Sequence, residues 1–271
     1  MRVDGKTWVV TGAGSGIGQE LTLLMLERGA RVAAVDLSEA GLRATTDRAQ
    51  AGDRLSTHVL DITNRGDVQA LPDAVVAAHG AVDGVVNNSG IIQPFVPFTD
   101  LDDAAIERVL NVNLMGTIYM TKAFLPLLLD RPEAYLANVS SMGGFFPFPN
   151  QTMYGASKAA VKLLTEGLFA ELQDTGVGVS VVMPGPTRTA IAAETSGLPE
   201  HSEQTRMPMT EPDDAARMII EGIERDQLHV YLGTVARLAN LAIRIAPRRA
   251  ILFVRQQMQS MMAGQQPTPT G

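Results

Sequence analysis

Short apolar runs rich in β-branched residues alternate along the chain with longer segments whose apolar residues recur at helical spacing. The short runs predict buried strands, and the longer segments predict helices that cover a sheet. The predicted strands are residues 7–10, 31–35, 55–60, 82–86, 135–139, 177–182 and 229–232. The predicted helices are residues 16–28, 38–50, 65–79, 101–129, 152–175 and 211–225.

This alternation predicts an α/β fold with a doubly wound, seven-stranded parallel sheet of the Rossmann type. No linker or internal repeat divides the 271 residues, so we expect one domain over residues 1–233. Residues 234–263 predict a helical C-terminal extension split by Pro247, and the polar residues 264–271 are expected to be disordered. The long segment 185–212 is expected to form a lid.

Composition excludes several classes of protein. The chain has no cysteine, which rules out disulfides, zinc–thiolate sites and a cysteine nucleophile. The first apolar run is too short for a signal sequence or a membrane span, so we expect a cytoplasmic protein. The net charge of −7 disfavours nucleic acid as a partner. None of the 4 histidines falls in a metal-binding motif, so no metal is expected.

A glycine-rich turn, TGAGSGIG at residues 11–18, joins the first strand to the first helix. Free backbone N–H groups and the positive end of the helix dipole favour a bound phosphate at such a turn. The spacing is not the common G-x-G-x-x-G, because the third glycine would fall on Ile17 or Gln19. The alternative is that the glycines only allow the helix to pack closely on the strand.

Asp36 ends the second strand, eighteen residues beyond Gly18. A carboxylate there can accept both hydrogen bonds of an adenosine ribose diol and would repel a 2′-phosphate. Neither Ser15 in the turn nor Leu37 after the aspartate supplies a cation, so the sequence favours NAD(H) over NADP(H). The alternative function of Asp36 is to cap the following helix.

A candidate acid–base pair lies in the sequence YGASK, where Tyr154 and Lys158 are four residues apart and share a helix face. An adjacent ammonium lowers the pKa of a phenol and makes it a usable general acid or base. Ser141 follows the fifth strand and could bond a substrate oxygen, whereas we expect Ser140 to point to the other side. The alternatives are a solvated surface pair and serines that satisfy a turn.

These motifs, taken together, resemble the short-chain dehydrogenases/reductases, and the resemblance covers about residues 3–232. The pieces occur in the order of that family: TGAGSGIG (residues 11–18), DIT (61–63), NNSG (87–90), NVNLMG (111–116), SSMGG (140–144), YGASK (154–158) and PGPTRT (184–189). The turn of the family is T-G-x-x-x-G-x-G, which explains the unusual glycine spacing. Ser89 replaces the usual alanine of its motif, and a small residue still fits.

The resemblance implies a set of residues that bind the dinucleotide. By this resemblance Ile17 and its neighbours offer backbone to the pyrophosphate, Asp61 and Ile62 flank the adenine, and Thr187 with Thr189 grips the nicotinamide amide. The implied cofactor residues are Gly12, Ser15, Gly16, Ile17, Gly18, Asp36, Leu37, Asp61, Ile62, Asn87, Ser89, Gly90, Tyr154, Lys158, Pro184, Gly185, Thr187 and Thr189.

The resemblance also implies the catalytic roles. Ser141 polarises the substrate oxygen and Tyr154 transfers the proton, while Lys158 lowers the pKa of the tyrosine and holds the nicotinamide ribose. Asn113 distorts its helix and holds a water that links Lys158 to solvent. We expect the neighbouring Asn111 to be a helix-capping or core amide instead.

The substrate is expected to be a hydrophobic alcohol or ketone. Apolar residues follow Ser141, and the segment 185–212 contains several more. The candidate substrate-lining residues are Gln93, Phe145, Phe146 and Ile191. The alternative for the phenylalanines is packing under the loop or in a subunit interface.

Competing functions are a 3-oxoacyl thioester reductase and, from another class, a non-catalytic NAD-sensing or scaffold protein. A serine hydrolase is disfavoured because no G-x-S-x-G motif occurs. The apolar helices 101–129 and 152–175 predict a subunit interface, hence a homodimer or homotetramer. The arginine-rich extension predicts a cap on the substrate pocket, a subunit contact or peripheral contact with a membrane.

Overall fold

The computed structural model describes residues 1–188 and 209–263, with side chains described up to residue 259. Thr189, Ile191 and most of the predicted lid lie outside the described residues, as does the predicted disordered tail. The strands are β1 (Thr7–Thr11), β2 (Arg31–Asp36), β3 (Leu55–Val59), β4 (Gly84–Asn87), β5 (Ala134–Val139), β6 (Val177–Pro184) and β7 (His229–Leu232). The helices of the main body are α1 (Gly16–Glu27), α2 (Glu39–Ala49), α3 (Arg65–His79), α4 (Asp103–Leu110), α5 (Thr117–Leu129), α6 (Thr152–Glu171) and α7 (Pro212–Glu224).

The seven strands form one parallel sheet in the order β3-β2-β1-β4-β5-β6-β7. The predicted Rossmann-type fold is therefore confirmed. The chain reverses its direction of travel across the sheet between β1 and β4. In a parallel sheet, this reversal leaves a crevice at the carboxyl ends of the two strands, where ligands bind.

Two apolar cores cover the two faces of the sheet. On one face β1 and β2 pack against α1 and α7, with Leu21 and Ile219 fully buried. On the other face the sheet packs against α3 and α5, with Phe124 and Leu128 fully buried. Burying side chains of this size from both faces explains why the strands read as continuous apolar runs rather than as alternating ones.

Most element boundaries agree with the sequence to within one or two residues, and two helices differ more. The predicted helix 101–129 begins at Asp103 and contains a π-helical turn, Asn111–Gly116, between α4 and α5. The predicted helix 152–175 ends at Glu171, because the chain turns there to enter β6. Residues 103–129 are apolar and long enough to cross a membrane, but this helical run packs on the sheet as a core element.

The C-terminal extension consists of α8 (Thr234–Ile245) and α9 (Pro247–Ala263), and Pro247 is the first residue of α9. Their inward faces form a third apolar cluster with the segment that follows Ser141. Ala236 and Ala250 are buried there against Met142 and Phe146. The extension is thus attached to the main body by packed side chains.

Candidate active site

A cleft of about 930 Å³ opens at the carboxyl ends of the strands, where the strand order reverses. Most of the residues predicted from the sequence line it. These are Gly12, Ser15, Gly16, Ile17, Asp36, Leu37, Asp61, Ile62, Ser89, Gly90, Ser141, Tyr154, Lys158, Pro184, Gly185 and Thr187. The fold therefore brings together residues from six strand ends that are far apart in the sequence.

The glycine-rich turn needs its glycines for backbone geometry and for space. Gly12 and Gly16 have φ of +68° and +53°, values that side chains other than glycine rarely adopt. A Cβ on Gly18 would collide with the carbonyl oxygen of Gly12, so α1 could not begin so close to β1. Ser15 precedes the helix without capping it through its side chain, which leaves the first N–H groups of α1 at the cleft.

Asp36 and Gly14 hold this turn against the end of β2. The Asp36 carboxylate accepts hydrogen bonds from the backbone N–H groups of Gly14 and Ser38, each at 2.8 Å. A Cβ on Gly14 would approach Asp36 Cγ to 2.9 Å and the backbone of Gly41 to 3.2 Å, so a side chain at this position would disturb the contact. The N-cap of α2 is Ser38, whose Oγ accepts from Gly41 N, so Asp36 does not cap that helix.

The prediction that Asn87 lines the cleft is wrong, and the next residue takes that place. Asn87 is buried at the end of β4, where its amide donates to Thr121 Oγ1 and to Asn138 Oδ1. Asn88 lines the cleft, and its Nδ2 donates to the carbonyl oxygen of Thr11. The error follows from strand alternation, because neighbouring residues point to opposite sides.

Thr11, the last residue of β1, holds the segment that follows β4 in place. Its Oγ1 accepts hydrogen bonds from the backbone N–H groups of both Asn88 and Ser89, at 2.9 Å each. These bonds hold the NNSG segment beside the glycine-rich turn. The sequence motifs contain Thr11 and Asn88, but only the structure shows why β1 ends in a residue with a hydroxyl group.

The catalytic trio predicted from the sequence lies together at one wall of the cleft. Tyr154 and Lys158 are one turn apart on α6, and the side chain of Ser141 lies close enough to the Tyr154 phenol to influence its pKa. Ser141 Oγ also accepts from the backbone N–H of Gly143 at 3.0 Å. Lys158 is buried, and its Nζ donates to the carbonyl oxygen of Val139 at 3.0 Å.

Burial governs the protonation of this trio. Burial raises the pKa of Tyr154, and the neighbouring Ser141 hydroxyl opposes that shift. Burial lowers the pKa of Lys158 to about 8, because an ammonium loses its hydration there. Lys158 is directed to the Val139 carbonyl, and loss of hydration is the largest influence on the pKa of the Tyr154 phenol. That Lys158 lowers the pKa of Tyr154 stays a prediction.

Asn113 lies in the π-helical turn between α4 and α5, so the predicted distortion of this helix is present. Its side chain is fully buried, with Oδ1 accepting from Ile91 N and Nδ2 donating to Ile91 O and to Ser157 Oγ. Asn111, by contrast, is exposed at the edge of the cleft, so of its two predicted roles the helix-capping one is confirmed and the core amide is not. It forms the C-cap of α4.

Ser140 also lines the cleft, but its hydroxyl donates to the backbone carbonyl of Lys158 at 2.7 Å. Gln93 does not line the cleft within the described residues. It is fully buried, because its amide bonds to backbone at the start of α6: Oε1 accepts from Tyr154 N and Nε2 donates to Asn150 O. The prediction that Gln93 lines the substrate site is therefore wrong.

The phenylalanines after Ser141 also need correction as substrate-lining residues. Phe146 is buried in the cluster with Ala236 and Ala250 of the extension, and Phe145 packs on the same cluster. The Phe145 ring meets the Tyr231 ring edge-on, with centroids 5.8 Å apart. The two rings therefore hold the extension to the main body. This resembles the alternative given above, in which the phenylalanines pack under the loop.

Several cleft residues have no counterpart in the sequence prediction. The wall contributed by α4 and the π-helical turn includes Ala104, Glu107, Arg108, Asn111 and Val112. Their pattern is that of an ordinary amphipathic helix, so only the fold shows that this helix faces the cleft.

Comparison with known proteins extends these observations to the whole chain. The family model described as short chain dehydrogenase matches residues 6–197. A Mycobacterium tuberculosis protein with the name "Putative oxidoreductase SadH" is 36% identical over 253 residues, which cover 89% of this chain and 91% of SadH. The 3-oxoacyl-[acyl-carrier-protein] reductase FabG of Thermotoga maritima is 33% identical, and the match covers 81% of this chain and 91% of FabG. The 3beta-hydroxysteroid dehydrogenase 2 of Eggerthella lenta is 35% identical, with 74% and 76% covered.

Solved structures show the same architecture. A short chain dehydrogenase/reductase from Burkholderia phymatum in complex with NAD has a TM-score of 0.79 at 26% identity, covering 100% of this chain and 99% of its own. A short chain dehydrogenase from Burkholderia cenocepacia in complex with NADP has a TM-score of 0.80 at 26% identity, with 94% and 99% covered. The chain thus belongs to the short-chain dehydrogenase/reductase family and is an oxidoreductase that acts on CH–OH groups.

Proposed function

We propose that this protein interconverts a hydrophobic secondary alcohol and its ketone with NAD(H) as cofactor. The observation that supports this most directly is that Ser141 and Tyr154 lie together at the cleft wall, one helical turn from the buried ammonium of Lys158. Two hydroxyl groups that converge on one point of a cleft can bind a carbonyl or carbinol oxygen together.

The cleft has the features that a dinucleotide requires. Gly12 and Gly16 of the glycine-rich turn line it without side chains, and the first N–H groups of α1 lie at the same end of the cleft. A Cβ on Gly90 would approach Lys158 Nζ to 2.9 Å, so the backbone of the NNSG segment also lies close to the catalytic lysine. When bound, the nicotinamide would donate or accept a hydride.

The residues of the chain then have separate tasks. Ser141 polarises the substrate oxygen, and Tyr154 gives a proton during reduction or takes one during oxidation. Because burial raises the pKa of Tyr154, the phenol is protonated at neutral pH and is ready to act as an acid. Oxidation needs the phenolate instead, so its rate should rise with pH through the alkaline range.

The preference for NAD(H) rests on Asp36. Its carboxylate faces the cleft, and Leu37 beside it is exposed and carries no charge. A 2′-phosphate next to this carboxylate would be repelled. Ser15, in the glycine-rich turn that borders the same cleft, offers a hydroxyl and no cation.

The hydrophobic substrate class is supported by the side chains that border the cleft and by one relative. Ile91, Ile92 and Met209 contribute apolar surface to the described part of the wall. The relative from Eggerthella lenta is named for a hydroxysteroid, which is a large apolar alcohol. A second candidate is a 3-oxoacyl thioester reductase, which the similarity to FabG favours. Initial rates across secondary alcohols, ketones and a 3-oxoacyl thioester would rank the two.

We expect removal of the Tyr154 hydroxyl to abolish catalysis and leave the cofactor bound. Tyr154→Phe should lower kcat by about 10²–10⁴-fold, since general acid–base transfer contributes that much, with little change in the dissociation constant of NADH. Steady-state absorbance of the reduced nicotinamide and a fluorescence titration measure the two quantities. Tyr119→Phe, which removes the same atom from α5, is the matched control. Near-normal turnover in Tyr154→Phe would contradict the assignment, and so would a wild-type oxidation rate that fails to rise with pH.

Cofactor choice can be tested by removing one charge. Asp36→Asn should raise the KM for NAD about tenfold, because hydrogen bonds to a charged acceptor contribute about 1.5–3 kcal/mol. It should also lower the ratio of the kcat/KM value for NAD to that for NADP. Asp47→Asn on the exposed side of α2 removes an equal charge and should change neither constant. Equal kcat/KM values for NAD and NADP in the wild-type enzyme would refute the proposed preference.

Gln93 is expected to position Tyr154. Its buried amide satisfies the backbone N–H of Tyr154 at 2.8 Å, and Gln93→Met keeps the volume but removes this acceptor. We expect kcat to fall about tenfold, KM to stay close to normal and stability to fall by about 1–3 kcal/mol. Kinetics and urea denaturation provide both measurements, and Gln173→Met on the exposed surface is the control. Lost stability with unchanged kcat would mean that Gln93 is only structural.

We also propose a homo-oligomer that forms through α5 and α6. Leu129 on α5 and Leu163 on α6 are exposed, and Leu163 is 71% accessible. Leu163→Glu should shift the mass from sedimentation equilibrium toward the monomer, because a charge in an apolar interface costs several kcal/mol. Leu238→Glu on α8 is the control with an equally exposed leucine. A monomeric wild-type mass would contradict this interface.

A further inference from the structure

The extension, residues 234–263, carries five arginines and no acidic residue, whereas the whole chain has a net charge of −7. The rest of the molecule therefore carries −12, since −12 + 5 = −7. In the part of the chain that the structure describes, none of the five arginines lies within ion-pair distance of a carboxylate. These arginines are Arg237, Arg244, Arg248, Arg249 and Arg255.

The outward face of α8 is apolar. Leu238, Leu241 and Ile245 are 66%, 55% and 73% exposed, and their spacing of three and four residues places them on one helix face. Arg237 and Arg244 share one flank of this face. An amphipathic helix with an apolar face outward and cations along its flank has the pattern of helices that lie in a lipid interface.

The second helix adds to the same kind of surface. Leu252 and Phe253 on α9 are exposed, with Phe253 at 61%, and Arg248, Arg249 and Arg255 are exposed around them. These outward residues have no role in attaching the extension. That attachment uses the inward residues, which include Ala236, Ala250 and Val254.

Charge complementarity distinguishes a lipid surface from a second copy of this chain. A two-fold interface centred on this surface would place it against itself, so five positive charges would face five others without an acid among them. Anionic headgroups complement the arginines, and the acyl region accepts the leucines and the phenylalanine. The negative remainder of the molecule opposes binding only weakly, because charges beyond about 8–10 Å are screened at physiological salt.

We propose that the extension docks this enzyme on the surface of an anionic lipid bilayer. The arginines contact the headgroups, and the exposed apolar residues of α8 and α9 enter the boundary of the acyl chains. The docking surface is separate from the catalytic residues, so it can be tested without knowledge of the substrate and independently of the proposed reaction.

Vesicle flotation of the full chain provides the test. We expect the wild-type protein to float with phosphatidylcholine vesicles that contain about one-third phosphatidylglycerol and to stay in the soluble fraction with pure phosphatidylcholine. Binding should decrease strongly at about 1 M salt, where the screening length falls to about 3 Å.

Two double variants separate the contributions of charge and apolar surface. Arg237→Gln with Arg244→Gln should weaken binding about 30-fold, because each arginine near an anionic surface contributes about fivefold. Leu238→Gln with Leu241→Gln should also reduce flotation. Arg43→Gln with Arg225→Gln removes the same charge from exposed ion pairs elsewhere and should float like the wild type. Far-UV circular dichroism verifies that each variant is folded.

The outcomes are distinct. Flotation that depends on anionic lipid, salt and both double variants supports the proposal. A wild-type protein that remains soluble with both vesicle types overturns it, as does binding that neither double variant changes. If the wild type does not float and the leucine variant lowers the sedimentation mass, the surface is a contact between copies of this chain, and the proposal is also overturned.

Discussion

The active site depends on a buried amide that ties three segments together. Asn113 bonds both backbone groups of Ile91 and the hydroxyl of Ser157, so it connects the end of β4, the π-helical turn and the catalytic helix α6. A fully buried amide is costly unless its donors and acceptor are paired, and here protein groups pair all of these functions. Because Ser157 directly precedes Lys158, this network also fixes the depth at which the lysine enters the cleft.

A second constraint comes from close backbone approaches at the other end of the cleft. The glycine-rich turn passes so near to β2 and to the NNSG segment that a Cβ on Gly12, Gly14 or Gly18 would overlap neighbouring atoms. Thr11 and Asp36 complete the arrangement by accepting backbone hydrogen bonds. The same atoms that stabilise the turn therefore leave N–H groups and a carboxylate facing the cleft, so stability and ligand binding share their structural basis.

The catalytic groups are tuned mainly by loss of hydration. Burial lowers the pKa of Lys158 and raises that of Tyr154, and both directions favour the neutral forms. A charge that binds beside these two groups would change their pKa values strongly, since electrostatic interactions strengthen where water is excluded. Proton transfer by Tyr154 therefore depends both on its position on α6 and on the charges of the molecules that bind beside it.

The sequence predicted the fold, the glycine-rich turn and the Ser141, Tyr154 and Lys158 set, because these depend on local periodicity and on residue types at fixed spacing. It failed for Asn87, Gln93 and Phe146, whose side chains bond or pack within the body of the protein. The physical reason is that spacing along a chain specifies which residues are near a turn, while the direction of each side chain follows from the partners that other segments bring. The sequence therefore determined which chemical groups the active site contains. Only tertiary packing decided which side chains line the cleft and which support it from behind.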